Sequence, residues 1–300
     1  MGFGESNNLA IQGIAKANPS KKKIIISSIE HSSIYECCNE MKKEGYQIVE
    51  IPVDSSGLID FSILENSMDR NTLLVSIMHS NNEIGTIQNI GKIGELCRKN
   101  KVLFHTDEVQ SFGKEKIDVN SMKIDLMSAS GHKIGASKGI GFLYVREGTN
   151  IRPIVRGGSQ ELGIRPGTQN VPGIAGLSKA VSIAQKVNKN EIRELRDYFI
   201  EKLENLGGKI NGSKEKRLAN NVNVSFPGKD GDRLMLRLSE KGIMCSTRSA
   251  CTSKQTKENR ILTALGLNDK EIKGTLRFSL SERNDKKEVD LVIKELKKII

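Results

Sequence analysis

The sequence has few aromatic residues and no long apolar run. Only 4% of its 300 residues are Phe, Trp or Tyr, which leaves little material for stacking on nucleic-acid bases. The net charge of +11 invites a nucleic-acid role, but the Lys and Arg residues are spread along the chain, so nucleic acid is disfavoured as a partner. No apolar stretch approaches the roughly 18 residues that cross a bilayer, so no membrane partner is expected.

Cysteine is also scarce, and its spacing excludes the common structural uses of the residue. The five cysteines are odd in number and lack the spacing of metal ligands: 37, 38, 97, 245 and 251. This pattern predicts free thiols in a reducing compartment, one of them reactive, and no metal site. The first residues do not form a signal-peptide pattern, so a cytoplasmic location is expected.

Short apolar runs alternate with helical stretches along the first half of the chain. The runs at 23–30, 72–80 and 102–108 are nearly continuous in apolar residues, as in strands whose sheet is covered on both faces. Between them, 33–45 and 90–100 have the composition and period of amphipathic helices. The alternation predicts an α/β layer with a mostly parallel sheet.

The second half of the chain has a different organisation. A loop rich in Gly and Arg, 156–173, precedes two long helical stretches, and the last hundred residues mix strands with helices. This order predicts a smaller α+β domain after the large α/β domain. We place the large domain at 1–188 and the small domain, which carries Cys251, at 189–300.

The stretch from His105 to Gly141 has residues suited to an aldehyde cofactor. It contains HTDEVQSFG and then SASGHKIGASKGIG, each at the predicted end of a strand, where ligands bind in parallel sheets. Lys133 can form a Schiff base and Asp107 can hold a proton on a pyridine nitrogen, while Ser130 and His132 can reach a phosphate. An ordinary βαβ segment with a surface lysine and a capping serine is the alternative for this stretch alone.

Eight motifs in order resemble those of the cysteine desulfurases, which are pyridoxal-phosphate (PLP) enzymes of iron–sulfur cluster assembly. They are ESNNLAIQG, EHSSI, SIMHSNNEIGTIQ, HTDEVQS, SASGHK, GIRPGTQNVPGI, RSACTS and LRFSLS. The resemblance runs almost end to end and implies the fold type I architecture of PLP-dependent, class-V aminotransferase-like enzymes. It also implies a homodimer, L-cysteine as the substrate, and a sulfur-acceptor or scaffold protein as a partner.

The resemblance assigns residues to the cofactor ring. Lys133 matches the Schiff-base lysine, which also returns protons to the substrate carbon. Asp107 would pair with the ring nitrogen, and the His31 imidazole would stack on the ring. Asn82 and Gln110 would hydrogen-bond the ring hydroxyl oxygen.

A second group of residues would hold the cofactor phosphate. The phosphate would lie at the start of a helix that begins near Glu5, where backbone N–H groups, that of Gly4 among them, and the helix dipole favour an anion. Ser130 and His132 would add side-chain hydrogen bonds. Thr168 matches a residue that reaches the phosphate from the other subunit of the homodimer.

The substrate residues follow from the same resemblance. Arg277, together with Asn82, would bind the substrate, with the planar guanidinium clamping its carboxylate. Cys251 matches the nucleophile whose thiolate attacks the substrate sulfur, leaving L-alanine and a persulfide on the protein. Arg277 could instead form a structural ion pair, and we interpret His79 and His105 as strand-end histidines with satisfied hydrogen bonds. The other four cysteines are expected to be inert thiols.

The sequence departs from the family pattern at several places. The family's N-terminal segment of several dozen residues is absent, and Gly4 stands where a Ser or Thr is usual. Arg248 replaces a glycine before the SAC motif, where it could add strain or lower the pKa of Cys251. Glu108 replaces a small residue beside Asp107 and could either face outward or disturb the ring-nitrogen pair.

These observations predict a PLP-dependent cysteine desulfurase that delivers sulfur for iron–sulfur clusters or tRNA thiolation. Two alternatives remain open at this stage. One is a non-catalytic relative or partner-dependent fragment, which the N-terminal departure suggests. The other is a related PLP β-lyase that resembles the selenocysteine lyases.

Overall fold

The computed structural model describes residues 1–247 and 259–300, so Arg248 and Cys251 lie outside the described residues. The chain divides into two compact units. The first unit consists of Met1–Pro52, Ile59–Ser80 and Gln88–Lys186, and the second of Val53–Leu58, Asn81–Ile87 and Val187–Ile300.

The first unit contains a mostly parallel sheet. Its strands are β1 (Lys23–Ser27), β2 (Gln47–Ile51), β3 (Thr72–Ser76), β4 (Leu103–Asp107), β5 (Leu126–Ser130) and β6 (Gly141–Val145). Among the described residues they form one six-stranded sheet in the order β2-β1-β3-β4-β5-β6. The first five strands are parallel, whereas β6 pairs antiparallel with β5. The predicted fold class is therefore confirmed, and the antiparallel edge strand is an addition to it.

Five α-helices accompany this sheet in the described part of the first unit. They are α1 (Phe3–Ala17), α2 (Ser32–Lys43), α3 (Phe61–Ser67), α4 (Ile90–Lys99) and α5 (Val171–Ala184). Several begin at a polar side chain that accepts a backbone N–H, as Asp60 does from Ser62 and Ile63 at the start of α3. Such caps satisfy donors that have no partner within the helix.

The core of the first unit lies between the sheet and the helices α1 and α2. Ile24 and Ile26 of β1 are fully buried and pack with Ile11 and Ile14 of α1. Burying each such side chain contributes roughly 1.5–3 kcal/mol. Gly13 permits a close approach, because a Cβ there would lie 2.7 Å from the carbonyl oxygen of Arg152. These contacts fix α1 against the sheet.

The second unit is an α+β layer. Its elements are α6 (Lys189–Glu204), β7 (Lys209–Ile210), β8 (Asn221–Ser225), α7 (Gly231–Ser239), β9 (Ser246–Thr247), α8 (Arg260–Ala264), α9 (Asp269–Lys273), β10 (Thr275–Ser279) and α10 (Lys286–Ile299). Among the described residues the strand order is β7-β8-β10-β9, with antiparallel pairing. Phe199 of α6 and Phe278 of β10 meet edge to face at 5.0 Å in its core. The capping box of Asp285 and Glu288 starts the last helix.

Candidate active site

The carboxyl ends of four adjacent parallel strands meet at one edge of the first unit's sheet. Asp107 and Ser130 are the last residues of β4 and β5. His31 follows β1 and begins α2, and His79 follows β3. Because ligands bind outside the carboxyl ends of strands in such sheets, this edge is the candidate active site.

Asp107 is a buried carboxylate with two hydrogen-bond donors. Its Oδ2 accepts from Asn7 Nδ2 at 2.8 Å, and its Oδ1 accepts from the backbone N–H of Val109 at 2.9 Å. Burial raises the pKa of the Asp107 carboxyl to about 6, although both hydrogen bonds oppose that shift. A basic ligand nitrogen would relieve the cost of burying this charge.

A chain of polar contacts connects Asp107 with His31. Asn7 Nδ2 also donates to Ser33 Oγ at 2.8 Å, and Ser33 Oγ lies 2.9 Å from His31 Nδ1. That nitrogen also accepts the backbone N–H of Ser33 at 3.0 Å, so it carries no proton and Nε2 does in the neutral ring. The imidazole therefore has a fixed tautomer and also caps α2.

Asn7 and Ser33 received no role from the sequence, although both belong to motifs that carry the family resemblance. The signal that could have identified Asn7 was a polar side chain at a helix position that is buried. Asn7 lies in the second turn of α1 and is 0% exposed, and buried polar groups are normally hydrogen-bonded. Its Oδ1 has no hydrogen-bond partner among the described residues.

A cavity of about 670 Å³ opens beside His31 and the N-terminus of α1. It is lined by Gly2, Phe3, Gly4, His31, Ser32, Ser33, Glu36, Ser130, His132, Lys138 and Gly139. Ser130 Oγ lies 2.7 Å from His132 Nδ1, and the ring of Phe3 packs edge-on against His31 at 5.1 Å. Burial and the charges of Lys133 and Lys138 lower the pKa of His132. The Ser130 hydroxyl, the His132 imidazole and the N-terminus of α1 together provide hydrogen-bond donors for an anion.

Lys133 lies just after β5 in a short 3-10 helix, Gly131–Ile134, and its side chain is exposed. Its charge opposes the upward shift of the Asp107 pKa that burial causes. The charge of Lys133 also acts on a second lysine, Lys114. The pKa of Lys114 is lowered to about 8, mainly by burial and to a smaller extent by the charge of Lys133. Lys133 is exposed, whereas Lys114 is half-buried.

The other predicted residues of the first unit occupy loops. Gln110 is half-buried in the turn that follows β4. Thr168 is exposed in the loop before α5, and none of the described contacts brings it to the cavity. The same loop is tied to the start of α1, because Arg165 Nε donates to Glu5 Oε1 at 2.9 Å.

Asn82 and Arg277 belong to the second unit, where they contact each other. Arg277 Nη1 donates to the backbone oxygen of Asn82 at 3.1 Å. The Asn82 Oδ1 atom is buried and lacks a hydrogen-bond partner among the described residues. The pKa of the neighbouring Glu83 is raised, because burial outweighs the opposing effects of the hydrogen bond from Asn259 and the charge of Arg277. Cys251 lies outside the described residues.

The remaining histidines and cysteines differ in environment. His105 fits the structural interpretation: its nitrogens contact Ser76 Oγ at 2.8 Å and Ser128 Oγ at 3.0 Å, and burial lowers its pKa to about 3. Burial raises the thiol pKa of all four described cysteines, Cys37, Cys38, Cys97 and Cys245, which favours inert thiols.

Glu108 does not face outward; its carboxylate is buried against His79.

The described part of the chain contains neither a candidate metal centre nor a candidate membrane-spanning helix. No group of three or more His, Cys, Asp or Glu residues in ranges 1–247 and 259–300 could hold a metal ion. No helix within those ranges is both long and apolar enough to cross a membrane.

The comparison with known proteins agrees with the geometry of this edge. Residues 1–292 match the aminotransferase class-V family. The chain belongs to that family. It is similar to the cysteine desulfurase IscS of Methanosarcina thermophila, with 44% identity over 304 residues that cover 100% of this chain and 75% of that protein. The chain thus spans about three quarters of the length of this relative.

Solved structures also resemble the chain. A NifS-like protein superposes with a TM-score of 0.92 at 36% identity, covering 99% of this chain and 80% of that one. SspA in complex with cysteine gives a TM-score of 0.82 at 37% identity, covering 93% and 79%. The predicted family and fold type are confirmed.

Proposed function

We propose that this chain is a PLP-dependent cysteine desulfurase that removes sulfur from L-cysteine and leaves L-alanine. The observation that carries the proposal is the buried Asp107 carboxylate, hydrogen-bonded by Asn7 at the carboxyl edge of the sheet. The relatives support the substrate, because they are named cysteine desulfurases and one solved relative is in complex with cysteine.

The residues at this edge fit PLP by their chemistry. Asp107 provides a buried anion for a protonated ring nitrogen, and Ser130, His132 and the start of α1 provide donors for a phosphate. His31 presents an imidazole of fixed tautomer to the same cavity. Bound PLP supplies an electron sink for the substrate carbon, which protein side chains lack.

The chain's own residues would bind and orient the substrate and move its protons and sulfur. Arg277 would bind the substrate carboxylate, and the Lys133 amine would return a proton to the substrate carbon. The Cys251 thiolate would attack the substrate sulfur: an S–S bond forms and the C–S bond breaks, with its electron pair remaining on the carbon side. The product on the protein is a persulfide at Cys251.

The test of this function uses Cys251→Ala and measures alanine, sulfide and protein-bound sulfur after addition of PLP and L-cysteine. The unchanged chain should form alanine and gain one sulfur atom on a peptide that contains Cys251. The variant should still bind PLP but carry no persulfide, because alanine has no thiol to accept the sulfur.

Cys245→Ala is the matched control, since it removes a half-buried thiol six positions away, and burial raises the pKa of that thiol to about 11. It should keep the persulfide. Unchanged sulfide production in Cys251→Ala would contradict the persulfide role. A chain that forms no alanine at all would contradict the proposed function.

The destination of the sulfur is also part of the proposal. We propose delivery to an acceptor or scaffold protein in the cytoplasm, for iron–sulfur clusters or tRNA thiolation. The relatives named IscS support a role in sulfur supply. The buried free thiols of the described residues fit a reducing compartment.

Exposed apolar residues on α5 support the proposed homodimer. Val171, Ile174 and Ile183 are 66%, 48% and 55% exposed, although α5 carries a single charged residue, Lys179. Large apolar side chains that are exposed this close together often mark a surface that another protein covers. A second copy of the chain is the occupant we propose, because Thr168, which would reach the partner's phosphate site, lies just before this helix.

Ile183→Asp is expected to convert the dimer into monomers, because it places a charge in the apolar interface. Sedimentation or light scattering at matched protein concentrations measures the change in mass. Leu291→Asp on α10 is the control, since Leu291 is a similarly exposed apolar residue, at 46%. A monomeric unchanged chain, or equal dissociation of both variants, would contradict α5 as the dimer interface.

A further inference from the structure

Glu108 is a second buried carboxylate beside the cofactor-site residue Asp107. It is 0% exposed and follows Asp107 at the end of β4. Its Oε2 accepts a hydrogen bond from Ser111 Oγ and lies 2.7 Å from His79 Nδ1. Its Oε1 is buried without a hydrogen-bond partner among the described residues. A carboxylate in this position is costly unless a positive charge balances it.

His79 is placed to supply that charge. Its side chain is 7% exposed, and its backbone N–H donates to the Asp107 carbonyl oxygen at 3.1 Å, which fixes it beside the end of β4. Burial lowers the pKa of His79, but the Glu108 carboxylate, with a smaller contribution from Glu115, outweighs burial and leaves the pKa raised. A protonated His79 donates to Glu108 and neutralises it.

The charge on Glu108 also acts on Asp107. Burial is the main cause of the raised pKa of Asp107, and the Glu108 carboxylate adds to it, while the charge of Lys133 opposes it. An unbalanced Glu108 would therefore favour a protonated Asp107. Under the proposed function, Asp107 must be ionised to hold a proton on the cofactor's ring nitrogen.

We propose that His79 and Glu108 form a buried ion pair that sets the charge around Asp107 and keeps its carboxylate available to the cofactor. His79 and Glu108 are positioning residues in this arrangement, since they act through Asp107. The inference rests on the proposed function for its purpose, but the pair itself can be tested without cofactor or substrate.

The experiment follows the Asp107 carboxyl carbon by NMR during a pH titration of the full chain labelled with ¹³C-aspartate, without PLP. Asp107→Asn identifies the signal. Glu108→Gln should lower the proton affinity of Asp107 roughly threefold to tenfold, because it removes a negative charge nearby. His79→Gln should raise it by a similar factor, because Glu108 is then unbalanced. The double variant should lie near the unchanged chain.

His105→Gln is the matched control, because His105 is equally buried on β4, two residues before Asp107, but contacts serines instead of a carboxylate. It should leave the Asp107 titration unchanged. Circular dichroism establishes that each variant is folded; if His79→Gln does not fold, Glu108→Gln and Glu108→Ala decide the question.

An unchanged Asp107 titration in the folded Glu108 variants would overturn the proposal. So would equal shifts in the His79 and His105 variants, since these would indicate a general packing effect. Neither outcome depends on sulfur release from cysteine, so a failure of the ion pair and a failure of the desulfurase proposal are distinguishable.

Discussion

Lys133→Ala is expected to abolish covalent attachment of PLP. It should also lower the turnover of L-cysteine by a factor of about 10²–10⁴. The Lys133 amine is exposed just after β5, at the candidate site. Because its side chain is exposed, its removal should change the free energy of unfolding by less than about 0.5 kcal/mol. Mass spectrometry after borohydride reduction in the presence of PLP measures the attachment.

Lys43→Ala is the control for this prediction, since Lys43 is an exposed lysine on α2 that pairs with Glu40. It should keep both attachment and turnover. Attachment of one PLP to the Lys133 variant at the original yield would contradict the assignment. Lys114, whose amine has a pKa of about 8, would then be the residue to locate by peptide mapping.

Asp107→Asn is expected to lower catalytic efficiency by a factor of about 10²–10⁴ while stabilising the cofactor-free chain above pH 6. The first effect is the loss of a buried charge partner, which costs about 3–5 kcal/mol. The second follows from the pKa of about 6, raised from an ordinary value of 3.8. The stability that the protonated carboxyl provides is complete below pH 3.8 and is lost as the pH rises through about 6.

An amide at position 107 does not ionise, so the variant should lack this loss, which is of the order of 3 kcal/mol at pH 8. Asn7 can accommodate the amide, because its Oδ1 has no hydrogen-bond partner among the described residues and can turn to accept. Urea unfolding at pH 5 and pH 8 measures the difference. Asp118→Asn should show no such gain, since hydrogen bonds hold the pKa of that exposed carboxyl low. Equal pH dependence in the Asp107 variant and the unchanged chain would contradict the burial argument.

Much of the fold could be predicted from local patterns in the sequence. The continuous Ile24–Ile26 run identifies a strand that is buried on both faces, and α2 and α4 follow from their period and composition. Helix α1 was expected only from the family resemblance. The strand β6 was not predicted. Its sequence, GFLYV, is an apolar run that fits a strand, but the run alone does not show which strand it pairs with or in which direction.

The site was less predictable, because its contacts join residues that are far apart in the chain. Asn7 and Asp107 are separated by 100 positions, and no periodicity links them. His79 and Glu108 are 29 positions apart, so the sequence could identify Glu108 as unusual but not the histidine that faces it. The exposure of the apolar residues on α5 was not predicted for a related reason: an apolar helix is typical of a core as well as of an interface.

Helix α1 contributes to both halves of the candidate site. Its first turn, with Phe3 and Gly4, lines the cavity, while Asn7 in the next turn supports Asp107. These positions are about 6 Å apart along one rigid element. Under the proposed function, the phosphate and the ring of a single ligand are therefore held by one body. Once the phosphate or the ring of the ligand is bound, the other end is held close to its own half-site at a high effective concentration. The two half-sites therefore act as a bivalent receptor.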